Sequence, residues 1–188
     1  MTNPANKIAI GRELLDTQKI LKDHLKIGFG EKVADLGCGA MGFFILQAAK
    51  LIGDQGTAYA VDIIKEVLSS VEGRARVEGL LNVKIVWSDL EKYGATNIPT
   101  ESLDAALLVN TLFQTKNRLE VIKEAYRLIK PKGRLLIVEW KKITSPFGPS
   151  LHLRLASEEV KEMANSLGLK LEKEFAAGNY HYGLIFVK

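Results

Sequence analysis

Apolar residues along this chain recur in short unbroken runs separated by longer stretches of helical spacing. The runs at 31–36, 57–61, 83–87, 103–110 and 134–140 have the length of strands and are bounded by turn-forming residues. Between them, 42–51, 63–78 and 116–130 repeat apolar side chains three and four positions apart, the pattern of helices packed on one side. Residues 105–109 form an apolar run, as a parallel strand buried on both faces requires. Gly53 and Gly56 mark a turn, residues 93–102 with Pro99 a loop, and Pro131-Lys-Gly133 the stop of the third crossover helix. After a polar loop at 141–150, residues 157–167 predict a helix with Ser157 as N-cap, Glu158 and Glu159 in its first turn, and Gly168 at its end. The runs 169–176 and 180–187, joined by Ala177-Gly-Asn179, predict a closing hairpin. At the other end, 6–26 carries Ile8, Ile10, Leu14, Leu15, Ile20, Leu21 and Leu25, which predicts one or two amphipathic helices over the sheet edge or the mouth of a site. Strand–helix alternation through five strands predicts a doubly wound α/β sheet.

Composition narrows the setting. Apolar residues make up 47% of the 188 positions and charged residues 26%, so one domain over 1–188 is expected, with 1–30 as a helical cover and 31–188 as the α/β core. No apolar run approaches the ~20 residues of a membrane helix. The first residues lack the basic and apolar regions of a secretory leader. Cys38 is the one cysteine, which excludes an intrachain disulfide and a cysteine-based metal site and fits a reducing, cytoplasmic setting. No metal site is expected. The net charge of +4 comes from scattered Lys and Arg, clustered only at 130–134 and 141–142. That suits a solvated surface better than a dedicated nucleic-acid face, and leaves RNA open as a partner.

Candidate chemistry concentrates at 33–42, which reads Val-Ala-Asp-Leu-Gly-Cys-Gly-Ala-Met-Gly. An apolar run ends at an acid, glycines follow, and a helix begins, so a strand turns tightly into a helix. Gly37 and Gly39 permit positive φ and close approach of a ligand to the main chain, while the helix N-terminus offers unpaired N–H groups. An adenosine-bearing ligand is the natural occupant. Asp62 ends the second strand, placed either to accept bonds from ribose hydroxyls or to cap the next helix. Asp35, Gly37–Gly42, Asp62, Ser88, Asp89 and Asn110 all fall at carboxyl ends of strands, where such sheets bind ligands.

With those residues in place, the chain resembles the class I S-adenosylmethionine-dependent methyltransferases over almost its whole length. Residues 33–42 look like the family's first motif, Ala60-Val-Asp62 like the second and Trp87-Ser-Asp89 like the third. Residues 103–110 match its fourth strand and 127–134 the approach to its fifth. The resemblance implies a Rossmann-like sheet of seven strands, the last antiparallel, with helices on both faces. Glu124-Ala-Tyr-Arg127 and Lys130-Pro-Lys-Gly133 liken the chain to the small-molecule members, similar to ubiquinone/menaquinone C-methyltransferases. By resemblance, Asp35, Gly37 and Gly39 bound the methionine half of S-adenosylmethionine, and Cys38 and Gly42 belong to the same cofactor-binding loop. Asp62 holds the ribose and Ile63 packs on adenine. Asp89, with the Ser88 and Leu90 backbone, meets the adenine amino group, and the Asn110 carbonyl faces the methionine end. Two departures stand out. Met41 occupies the position of a family glycine, with Gly42 one later, which reads as a one-residue insertion. Gln114 stands near the point where many small-molecule members carry a histidine.

Methyl transfer from a sulfonium is an in-line displacement that needs alignment and exclusion of water more than an acid–base pair. The sequence names no base. Asn110, Tyr180, His181 and Glu139 are the catalytic candidates: Tyr180 and His181 face the pocket or pack the sheet edge, and Glu139 touches substrate or ties down the sheet. His24 and His152 are expected at the surface, and Cys38 as a small residue filling a tight turn. Asn110-Thr-Leu-Phe113 has the asparagine and aromatic of the Asn-Pro-Pro-Phe/Tyr motif of amino methyltransferases, without its prolines. A small-molecule acceptor is therefore the first expectation, with an RNA or protein methyltransferase and a non-catalytic cofactor-binding subunit as alternatives.

Overall fold

The computed structural model describes residues 15–146 and 148–188. Seven strands form one sheet: β1 (Lys32–Leu36), β2 (Thr57–Asp62), β3 (Val83–Trp87), β4 (Leu103–Val109), β5 (Ile129–Trp140), β6 (Lys170–Ala176) and β7 (His181–Val187). Their spatial order is β3-β2-β1-β4-β5-β7-β6. β3, β2, β1, β4 and β5 run parallel, while β7 is antiparallel to both β5 and β6. The order reverses between β1 and β4, which opens a crevice at the carboxyl ends of those two strands.

Period-two alternation sends each strand's side chains to two separate cores. Val33, Ala105, Leu136 and Ile185 face one side, under α1 (Phe43–Ile52) and α2 (Lys65–Val77). Ala34, Leu36, Leu108, Ile137 and Phe186 face the other, under α3 (Arg118–Leu128) and α4 (Ser157–Ser166). α1 buries Phe44, Ile45, Leu46, Ala48, Ala49 and Ile52, and a fully buried Leu, Ile or Phe contributes about 1.5–3 kcal/mol. The edge strand β6 reads Lys-Leu-Glu-Lys-Glu-Phe-Ala and is mostly exposed; its charges guard against edge-to-edge pairing. Among the described residues, no helix is long and apolar enough to cross a membrane.

Several local expectations are corrected. The amphipathic segment at 6–26 is described only from Leu15, its earlier part lying outside the described residues. There a helical turn, Thr17–Lys19, passes into a π-helical turn, Ile20–His24, burying Ile20, Leu21 and Leu25. His24 is half-buried rather than on the surface, its ring stacked on Phe175 at 3.9 Å. α2 begins at Lys65, two residues after the expected start, because the Asp62 carboxylate takes the Ile64 N–H in a local turn. Pro131-Lys-Gly133 does not separate α3 from β5. Pairing runs from Leu103–Ile129 to Ala105–Arg134 across a bulge, with Lys132 at φ +66°. Ser157 is the first helical residue of α4 and Ala156 its cap, because Glu159 reaches back to accept the Ala156 N–H.

Candidate functional site

β1 ends at Leu36, and the chain turns through Gly37, Gly39 and Gly42, all at positive φ, before α1 begins. The first two turns are tied to the neighbouring strand, since the Gly37 and Cys38 N–H groups both donate to the Val61 carbonyl. The Gly42 N–H closes a turn on the Gly39 carbonyl, and the Leu46 N–H in turn bonds Gly42. Gly42 also packs closely on α2, because a Cβ there would lie 3.1 Å from Val71 Cγ1. Met41 lies within this tight turn, between Gly39 and Gly42. It lines the cavity beside Arg74, and its sulfur accepts from Arg74 Nη2 at 3.2 Å.

This loop forms the floor of a cavity of about 480 Å³ lined by Asp35, Cys38, Asn110, Trp140 and His181 among others. Asp35 is 2% exposed, and its Oδ1 has no hydrogen-bond partner among the described residues. Burial, then the nearby Asp62 charge, push its carboxyl up to about 7 against the opposing pull of the Ile45 N–H. Asn110 holds φ +54° at the tip of β4, and its Oδ1 is likewise buried and unpartnered. Its backbone groups are engaged: its N–H donates to the Val138 carbonyl, and its carbonyl accepts from Gln114 Nε2 at 2.7 Å. Cys38 is buried beside the carboxylates of Asp35 and Asp62, which together with burial push its thiol far up. It packs the turn as a neutral side chain.

The strand-tip residues beyond Asp62 stand apart from this cavity. The Asp62 carboxylate accepts the Gly39 N–H at 3.2 Å and the Ile64 N–H at 3.0 Å, and so bridges the two strand tips. Ile63 is 52% exposed beside Trp87, 54% exposed, whose indole N–H fixes the Ile63 carbonyl at 2.7 Å. The Ser88 N–H donates to the Asp62 carbonyl and its hydroxyl pairs with Thr96, so Ser88 holds the loop together. Asp89 accepts the Glu91 N–H and pairs with Lys92 at 3.3 Å, while Leu90 is buried in the core.

Among the catalytic candidates, His181 lines the cavity and Tyr180 does not. His181 is 1% exposed, its ring against Trp140 at a centroid distance of 4.0 Å. Glu139 turns to the opposite face of β5. Its Oε1 accepts the Leu112 and Phe113 N–H groups at 2.7 and 3.4 Å, and burial lifts its carboxyl to about 7. It anchors the turn after β4. The sequence reading missed Trp140, as well as Phe43, Gln47 and Lys50, which share one face of α1 at spacings of four and three. Arg74 and Glu78 line the wall from α2, with Glu78 2.6 Å from Lys50. That helical spacing was a signal in the sequence, but it became readable only once the loop gave the face something to line.

Residues 28–179 match a family described as a methyltransferase domain. The chain belongs to this methyltransferase family. A demethylmenaquinone methyltransferase of Geobacillus sp. is 26% identical over 136 residues, 71% of this chain and 56% of that one. A ubiquinone/menaquinone biosynthesis C-methyltransferase of Vibrio campbellii is 28% identical over 114 residues, 60% of this chain and 42% of that one. This methyltransferase thus spans about half the length of the curated relatives it matches. A S-adenosylmethionine-dependent methyltransferase from Aquifex aeolicus superposes over 100% of this chain and 99% of its own, at TM-score 0.87 and 26% identity. The [4+2]-cyclase SpnF shares the fold at TM-score 0.77 and 16% identity, covering 92% of this chain and 80% of its own.

The residues of this methyltransferase fit the cofactor of its class, S-adenosylmethionine. Asp35 and Asn110 both line the cavity and each carries one buried oxygen without a hydrogen-bond partner among the described residues, a pair that suits an ammonium group. A Cβ at Gly39 would meet nothing within 4 Å, so main chain lines open space there. Each carboxylate offers about four lone-pair sites, and Asp62 uses two in the bonds described, which leaves room for hydroxyl donors.

Proposed function

We propose that this protein moves a methyl group from S-adenosylmethionine to a small-molecule acceptor. The observation that carries the reading is the pair Asp35 and Asn110, both lining one cavity behind a glycine turn and each with a buried, unpartnered oxygen. In this reading Asp35 and Asn110 bind the ammonium of the cofactor's methionine end. Asp62 binds the ribose, and exposed Ile63 and Trp87 flank the adenine beside Asp89. The bound cofactor supplies a methyl group already activated on its sulfonium. The protein's share is to align the acceptor, and the apolar walls formed by Phe44, Leu46, Val109 and Trp140 exclude water from the line of attack.

A small acceptor is favoured over an amine of RNA or protein. Both prolines of the amine-positioning motif are absent, and the Asn110 carbonyl already accepts one bond, from Gln114. The names of the quinone-modifying relatives support the same direction. Calorimetric titration of S-adenosylmethionine and S-adenosylhomocysteine into wild type and Asp62→Ala tests the cofactor site. Micromolar binding by wild type, weakened about 10- to 100-fold in the variant, is the expected result. If neither ligand binds wild type, the reading falls and a non-catalytic role replaces it.

A further inference from the structure

His181 is a polar residue of the cavity wall that binding the cofactor does not use. It opens β7, next to Trp140 at the end of β5, and these neighbouring strand ends close the cavity on the side away from the α1 wall. The ring is 1% exposed, and neither nitrogen has a hydrogen-bond partner among the described residues. A neutral imidazole carries one donor and one acceptor, and leaving both unmet in a buried place is costly. Such a ring suits a ligand group that both accepts and donates, as a hydroxyl does.

The charges around His181 fix what that group can be. Arg154 and Lys141 are the cations acting on it, and both are held in place by backbone carbonyls. Arg154 donates to the carbonyls of Pro149, Lys141 and Ile143, and its guanidinium lies 5.4 Å from the Trp140 ring centre. Lys141 Nζ donates to the carbonyls of Gly178 and Asn179. Glu139 and Tyr182 lie on the other face of their strands, away from the ring. A field of this sign disfavours a cationic acceptor and stabilises an oxyanion. Burial, then Arg154 and Lys141, hold the His181 pKa down at about 4, so the ring is neutral and able to accept a proton throughout the neutral range.

We propose that His181 contacts the methyl acceptor directly and takes the proton of an acidic hydroxyl on it. This rests on the function proposed above. In the step, the acceptor's O–H bond breaks and an N–H bond forms on the unprotonated ring nitrogen, giving an oxyanion beside an imidazolium. The imidazolium later returns its proton to water. The oxyanion next to the ring raises the imidazole's basicity above its resting value, and Arg154 and Lys141 stabilise the new negative charge.

The test uses para-nitrophenol, whose ionised form absorbs visible light, bound to the full-length protein together with S-adenosylhomocysteine. His181→Phe keeps a ring against Trp140 and removes both nitrogens, and His181→Asn keeps a donor and an acceptor without the base. Thermal melts establish that each variant is folded. The expected result is that the wild-type complex lowers the apparent pKa of the bound probe by about one unit, a tenfold shift toward the phenolate. In both variants the shift shrinks to the smaller part owed to Arg154 and Lys141, while S-adenosylhomocysteine affinity stays within about threefold of wild type. Equal ionisation of the probe in wild type and His181→Phe overturns the role of His181, as does failure of the wild-type complex to bind the probe. No binding of S-adenosylhomocysteine to wild type removes the methyltransferase reading itself, and the calorimetric trace separates that failure from the other two.

Discussion

Gly37 lies so close to Thr111 that a Cβ on it would sit 2.8 Å from both Thr111 Cγ2 and Oγ1. The contact joins the end of β1 to the residue after Asn110, so the two strand tips at the crevice are set against each other. Thr111 is fixed there by a hydrogen bond from its hydroxyl to the Leu36 carbonyl at 3.0 Å. Gly37→Ala adds both a clash and a side chain at φ +88°, and we expect a loss of about 2–4 kcal/mol in denaturant unfolding. Thr111→Ala alone should cost about 1 kcal/mol for the lost bond. Because the second change removes the clash, the double variant should be more stable than the sum of the two by about 1–2 kcal/mol. Simple additivity would mean that strain at φ, and not the contact, makes glycine necessary.

Asp35 and Glu139 make stability depend on pH in an unusual direction. Both carboxyls have native pKa values near 7, above their unfolded values, so between about pH 4 and 7 the native state binds more protons than the unfolded chain. Their contribution therefore falls as pH rises through that window. His181, held neutral by burial, acts with the opposite sign between its native value of about 4 and its unfolded value. The clean measurement is thus the difference between wild type and Asp35→Asn. The variant should gain about 2–4 kcal/mol relative to wild type on going from pH 4 to pH 8, read from thermal melts. It should also lose at least about tenfold in S-adenosylmethionine affinity, because the amide no longer carries a charge to meet the ammonium. A constant difference across pH would show that Asp35 is ionised at its ordinary value.

The alternation of strand and helix was legible because the central strands β1, β4 and β5 are buried on both faces over most of their length, so their apolar runs read without reference to neighbours. The glycine turn and Asp62 were legible for a related reason: they are local consequences of one chain reversing at a strand tip. What the sequence concealed depends on contacts between distant segments. Glu139 reads as a free acid at the end of a strand, and only the fold shows it holding two N–H groups 26 and 27 residues away. His181 and Tyr180 are adjacent and looked equivalent, but the register of β7 against β5 puts His181 beside Trp140 in the cavity wall. The α2 start at Lys65 and the Ala156 cap were misplaced because a neighbouring carboxylate competed for the N–H that a simple cap rule assigns.

Glu124 shows how a phrase that looked like a family signature works as a staple. Its carboxylate is buried in α3, accepts the Gly94 and Thr96 N–H groups at 2.7 and 3.0 Å, and pairs with Arg127 one turn on. Arg127 extends the tie to the Thr96 carbonyl and the Thr100 hydroxyl. Despite burial, the Arg127 guanidinium and these N–H groups bring the Glu124 carboxyl down to about 2. Its stabilisation is therefore fully present above its unfolded value of about 4.5 and is lost as pH falls through 2. Glu124→Ala should cost about 3–5 kcal/mol at neutral pH, since it strands Arg127 and the buried Thr96 N–H. Hydrogen exchange should show residues 94–100 opening first. Protection there equal to wild type would place the loop's stability elsewhere.

Gly37 and Gly39 stand two residues apart in one motif, and the structure separates their reasons. A Cβ at Gly37 meets Thr111, whereas a Cβ at Gly39 meets nothing within 4 Å and would project into space beside the cavity. Gly39→Ala should therefore cost only about 1 kcal/mol of stability, the strain of a side chain at φ +63°. It should nonetheless weaken S-adenosylmethionine binding by at least about tenfold, because the methyl group takes the place the ligand needs. Met41→Ala is the matching control: its sulfur is held by Arg74 on the cavity wall and the change leaves the main chain of the turn as it is, so affinity should stay within about threefold. Melts and calorimetry on the three proteins decide the matter. If Gly39→Ala binds the cofactor as wild type does, the ligand does not approach the main chain at that residue, and the inserted residue has moved the binding loop away from its expected place.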